Sequence, residues 1–164
     1  MPESGSSGPG LVRSATDNAP AVAPQAPLAL TVLGALGVAP FWLPVLAGVV
    51  WPQTSAVAFD ALAAYAAIIL SFLAGSRLGI AITEARPATT TLCLSMAPPL
   101  AAWALVLLPI MSGLRLVLLA LALLAHAAWD ARADLAPRWY AGLRWRLTFG
   151  AMTGLLAGAV VLHD

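Results

Sequence analysis

Residues Tyr65–Thr83 read YAAIILSFLAGSRLGIAIT, an almost unbroken apolar run. It carries one arginine, Arg77, and a ladder of small residues, Ser71, Gly75 and Gly79. The rest of the chain reads as further apolar helices arranged around this one.

Composition sets the solvent. Of 164 residues, 61% are hydrophobic and 9% charged, against roughly 25% charged in soluble domains. Mean hydropathy is +0.90. So little charge cannot cover a soluble fold, so most of the surface faces lipid. The net charge of +1 carries no signal for nucleic acid. Every basic residue is arginine, which with the Ala and Leu richness points to a GC-rich bacterial source. One cysteine, Cys93, excludes an internal disulfide and reads as core filler.

The first 27 residues are rich in Pro, Ala, Ser and Gly without apolar periodicity, and read as a disordered tail. Five apolar runs follow, near 28–50, 59–82, 89–110, 114–129 and 147–162. The first holds Pro40 and Pro44 and the third Pro98 and Pro99, which predicts kinked or broken helices. Brief connections make neighbouring spans antiparallel. The expected fold is an all-α, five-span membrane bundle. An alternative makes the first run a re-entrant hairpin, leaving four spans.

Arginine distribution sets the orientation. With five spans, Arg13, Arg86, Arg132, Arg138, Arg144 and Arg146 share one side, with Arg77 nearby, and only Arg115 lies opposite. This bias places the N-terminus in the cytoplasm. Residues 130–146, DARADLAPRWYAGLRWR, form the longest connection. Pro137 suits a first helical turn, and Trp139, Leu143 and Leu147 share a face, with Arg138 and Arg144 turned away. This predicts a short interfacial helix with arginines toward anionic headgroups between Arg138 and Arg146.

Three segments then resemble a known family. They are YAAIILSFLAGSRLG, APPLAAW, and the loop pattern of Asp130, Pro137, Trp139, Tyr140, Leu143, Arg144, Leu147 and Thr148. Together they resemble the transmembrane protein 69-like family, which carries domain of unknown function 3429. The resemblance covers about residues 28–162, with Ala74 and Leu78 departing from the family's Gly and Trp. It implies a small polytopic protein of bacterial inner membranes, with relatives in mitochondria and no established activity.

The candidate residues support modest roles. Arg77, an ionisable group within a span, is a functional candidate. On a helical wheel it points about 160° from Gly75, and Glu84 lies about 10 Å further on. It therefore reads as a snorkelling anchor or the partner of Asp130, Asp134 or Glu84. Ser71, Gly75 and Gly79 form a small-xxx-small seam, within the bundle or between copies. His126, Asp130 and Asp134 recur every four residues. An ionic lock of the aspartates with Arg132, Arg138 and Arg144 outweighs a metal site there. His163 and Asp164 fall on the opposite side. No phosphate loop, dinucleotide fingerprint, HExxH, paired cysteines or nucleophile elbow is present in the sequence. No cofactor or catalytic residue is expected. The expected protein is a non-enzymatic assembly, scaffold or lipid-organising factor, with membrane lipids and an unidentified protein or second copy as partners. A small oligomeric transporter or channel subunit is the alternative, and a lipid-acting enzyme at His126 and Asp130 is a weaker third.

Overall fold

The computed structural model describes residues 27–86, 88–132 and 138–162, with the backbone alone at residue 138. The tail before residue 27, Asp134, Pro137, the Arg138 side chain, His163 and Asp164 lie outside the described residues.

Five helices follow in order: α1 (Leu28–Val50), α2 (Ser55–Ala81), α3 (Thr89–Leu107), α4 (Ser112–Asp130) and α5 (Arg138–Val161). A 3-10 turn at Pro52–Thr54 leads into α2. There are no strands among the described residues. Four helices, α1 to α4, are long and apolar enough to cross a membrane. The protein is a multi-pass membrane protein. Helix α5 is long enough for a span, about 36 Å at 1.5 Å per residue, but three arginines occupy its first nine residues.

Three expectations need correction. First, of the kinked or broken helices expected at the prolines, the broken form fails: α1 runs unbroken through Pro40 and Pro44, and α3 through Pro98 and Pro99. A re-entrant hairpin is therefore excluded. Second, there is no separate interfacial helix from residue 138 to 146: these residues are the first turns of α5. Nothing in the segment breaks a helix after Pro137, so the interfacial piece and the fifth span fuse. Third, Cys93 is exposed on α3 and is not core filler. Boundaries move slightly. Helix α3 stops at Leu107 because Leu108 precedes a proline and is extended, with ψ of 137°.

Helix α2 is the hub. It packs on α1, α3 and α4, and touches α5 little. Its inward stripe is Leu62, Ala66, Leu70, Ala74, Arg77 and Ala81, all buried. The alanines on this stripe let neighbouring backbones approach, which is the main source of helix attraction where lipid is as apolar as the core. The face carrying Gly75 and Gly79 points outward. Both glycines are exposed, and a Cβ added to either meets nothing within 4 Å. The intramolecular seam expected there is absent.

The close-packed seam lies on α5 instead. A Cβ at Gly150 would meet Val38 at 2.9 Å, and one at Gly154 would meet the Phe41 carbonyl oxygen at 2.9 Å. One at Gly158 would collide with Leu62. These three glycines, four residues apart, bring α5 against α1 and then the core. Trp42 Nε1 donates to the Gly150 carbonyl at 3.1 Å across the same contact.

Helix α2 braces the turn of α1 that holds Pro40. Pro40 has no N–H to offer the Leu36 carbonyl, and its ring strains the adjoining turn. There the Tyr65 hydroxyl donates to the Gly37 carbonyl at 2.8 Å. The Tyr65 ring meets Phe41 edge-on, 5.0 Å between centroids. Tyr65→Phe is expected to lower thermal stability by about 1 kcal/mol, the net worth of one hydrogen bond, measured by unfolding in detergent.

Candidate functional site

The antiparallel order gathers one set of helix ends: the starts of α1, α3 and α5 and the finishes of α2 and α4. The charged residues of the bundle interior meet there. Arg77 is four residues from the end of α2, Asp130 closes α4, and Arg144 is six residues into α5. All lie within about 9 Å of a helix end along the axis.

Asp130 bridges the two arginines. Its Oδ1 is 3.9 Å from Arg77 Nη1 and its Oδ2 is 3.3 Å from Arg144 Nη2. Arg77 is 9% exposed and Arg144 8%. Thus α2, α4 and α5 are tied by one carboxylate. Arg77 does pair with Asp130, as the sequence allows, but it is turned into the core and not out along the lipid. Arg144, expected to point toward headgroups, is also turned inward, while Arg132 and Arg146 are exposed.

Aromatic rings complete the cluster. The Arg77 guanidinium sits over the Trp129 ring, 5.1 Å from its centroid. Trp129 meets His126 edge-on at 5.6 Å. A ring face beside a desolvated guanidinium contributes about 1–2 kcal/mol. His126 is buried, within electrostatic reach of Arg144, Asp130 and Arg77. Neither of its nitrogens makes a hydrogen bond of good geometry. Trp139 is half-buried at the start of α5, edge-on to Tyr140 at 6.1 Å. No group of three His, Cys, Asp or Glu side chains is placed to hold a metal among the described residues.

The charges do not balance. Among the described residues two buried guanidiniums face one carboxylate. Arg77 Nε, Arg144 Nε and Arg144 Nη2 are buried without a well-formed hydrogen bond. The 3.3 Å contact of Arg144 Nη2 with Asp130 is thus an ionic contact of poor hydrogen-bond angle.

Arg144 also borders a cavity. A space of about 440 Å³ lies among α1, α2 and α5, with Leu123 of α4 behind it. Its polar side chains are Tyr140, Arg144 and Thr148, four residues apart on one face of α5. Every other lining residue is apolar or glycine. The cavity exists because α1 is packed only in its second half. Its buried residues are Phe41, Val45 and Gly48, whereas Leu30 and Leu33 on the cavity rim are 47% and 63% exposed. Phe72 on the facing rim is 68% exposed, so the cavity opens sideways between α1 and α2.

Sequence reading named Arg77, His126, Asp130, Trp139 and Arg144, and the first three and Arg144 converge, with Trp139 on the neighbouring turn of α5. It missed the cavity. The stripe Tyr140, Arg144, Thr148 is the available signal, and it is hidden when residues 138–146 are read as a separate interfacial helix with Arg144 turned toward headgroups. Ser71, Gly75 and Gly79 take no part.

No curated protein and no solved structure matches the chain. A family model described as "Protein of unknown function (DUF3429)" matches residues 26–160. That match spans the tie at Asp130, the glycine seam of α5 and all five helices, and the chain belongs to this family.

Proposed function

We propose that this protein is a non-enzymatic, lipid-organising factor of a bacterial inner membrane, a member of the transmembrane protein 69-like group. The arginine-rich helix ends face the cytoplasm in this reading, since arginine bias sets orientation. The observation that carries it is the side-opening cavity between α1 and α2, carbon-lined over most of its length with polar groups confined to one wall. Such a space is of the size that binding pockets have, and its mouth faces acyl chains rather than water.

A transporter of the discontinuous-helix type draws its support from unwound backbone at mid-membrane. Here the proline-bearing helices stay helical throughout, which favours the lipid-organising role.

The test is purification in mild detergent followed by native mass spectrometry. Lipid retained at a fixed ratio to the chain is expected. A chain that carries no lipid of any class, yet co-purifies at fixed ratio with a membrane protein, would make it a protein scaffold instead.

A further inference from the structure

We infer that the α1–α2–α5 cavity is a binding site for an anionic phospholipid. One acyl chain lies in the cavity, and the phosphate meets Arg144. The inference rests on the lipid-organising reading and names the class of lipid.

Three observations converge on this occupant. Shape comes first. From Arg144 the cavity wall passes through Thr148 to Ala151 on α5, and from Leu30 to Phe41 on α1. The latter distance is about 16 Å along the helix. The one charged group, Arg144, lies toward the start of α5, the other polar side chains share its wall, and the α1 and α2 walls are carbon, a profile that suits an acyl chain under a headgroup.

Charge comes second. Arg144 is more than nine-tenths buried and lines the cavity; its Nε has no hydrogen bond, and its Nη2 has only the poorly angled ion contact with Asp130. A buried donor left unmade costs free energy. Its carboxylate partner is shared with Arg77, so the cluster carries one uncompensated positive charge among the described residues. A phosphate provides acceptors in the planar arrangement that a guanidinium fits. A net-anionic lipid also neutralises the excess. A zwitterionic lipid brings its own cation beside two arginines and gains less.

Position comes third. Arg144 lies about 9 Å from the start of α5, on the helix ends where arginines concentrate. That is the level at which the headgroups of anionic lipids sit beside basic side chains.

The experiment reconstitutes the full chain in nanodiscs of phosphatidylcholine with a minor fraction of phosphatidylglycerol, then releases it for native mass spectrometry. One phosphatidylglycerol per chain is expected, enriched about tenfold or more over its share of the bilayer. Arg144→Gln leaves a shorter, uncharged side chain with one NH2 donor, and should abolish the enrichment, since a charge-assisted bond is worth about a factor of ten or more. Gly37→Phe supplies an independent check. Gly37 lines the cavity, and a Cβ there meets nothing within 4 Å, so a side chain can enter the space at this position, and a ring there competes with the lipid for it. It should expel the lipid while leaving Arg144 in place.

Equal retention of phosphatidylcholine would overturn the anionic assignment and leave the lipid-organising role standing. Absence of any bound lipid would overturn both. If inorganic phosphate alone raised the melting temperature as much as phosphatidylglycerol, the occupant would be a soluble anion and the proposal wrong. Unchanged lipid retention in Gly37→Phe would also sink it, even if Arg144→Gln failed to fold.

Discussion

Asp130→Asn should be the most damaging single substitution in the bundle, lowering stability by about 3 kcal/mol. Breaking a buried ion pair from one side costs about 3–5 kcal/mol, because the remaining charge stays buried without a partner. Here two guanidiniums are stranded at once, since Arg77 and Arg144 share Asp130 as their ion-pair partner. The lower end of that range applies because the tie lies near the helix ends, where long side chains can relax toward headgroups. Unfolding in detergent and abundance in the membrane both report the loss. Replacing the set together, Arg77→Met with Asp130→Leu and Arg144→Met, should recover most of it, since a well-packed apolar set replaces a buried ionic one at little cost. An Asp130→Asn protein as stable as the parent would show that the arginines reach water and that the tie holds nothing.

Gly154→Ala comes second. The new methyl would sit 2.9 Å from both the Cβ and the carbonyl oxygen of Phe41. A backbone oxygen cannot rotate away, so α1 and α5 must separate. Overpacking of this kind costs about 1–3 kcal/mol, and the Trp42 bond to Gly150 one turn away should weaken with it. The control is Gly75→Ala. With open space around it, this substitution should leave the bundle intact and add up to about 1 kcal/mol of helix propensity. Equal losses at the two positions would mean that Gly75 faces a second copy of the chain.

All five helices were legible as apolar runs, α5 only in its latter part because its first turns carry three arginines. Which face of each turns inward was not. In water, the apolar face is the buried one. In lipid both faces are apolar, and the discriminating feature is size and charge. Glycine was the natural marker, and on α2 it pointed the wrong way. Ala66 and Ala74 mark the inner face of that helix but look like any other apolar residue in the run. Arg77 was the better marker. Its placement about 160° from Gly75 sets it off the expected glycine seam, as a snorkelling or paired residue, and once the glycine face is the outer one it marks the inner face. The pairing of Asp130 with Arg144 was legible as an ionic lock, since both sit at adjoining ends of consecutive helices. Arg77 joins it only through the packing of α2 on α4, which spacing along the chain does not show.

The arginines in the first turns of α5 bear on how the protein is made. A segment that begins with Arg138, Arg144 and Arg146 partitions poorly into a bilayer by itself, and it emerges from the ribosome after the other four helices. By then Asp130 is already at the end of α4, beside Arg77. The nascent α5 therefore meets a waiting countercharge for Arg144 and, through Gly150 and Gly154, a close-packed surface on α1, with Gly158 set against Leu62 of α2. The helices before it thus supply the partners on which α5 docks. A chain that has lost Asp130 should leave α5 undocked from the bundle for longer.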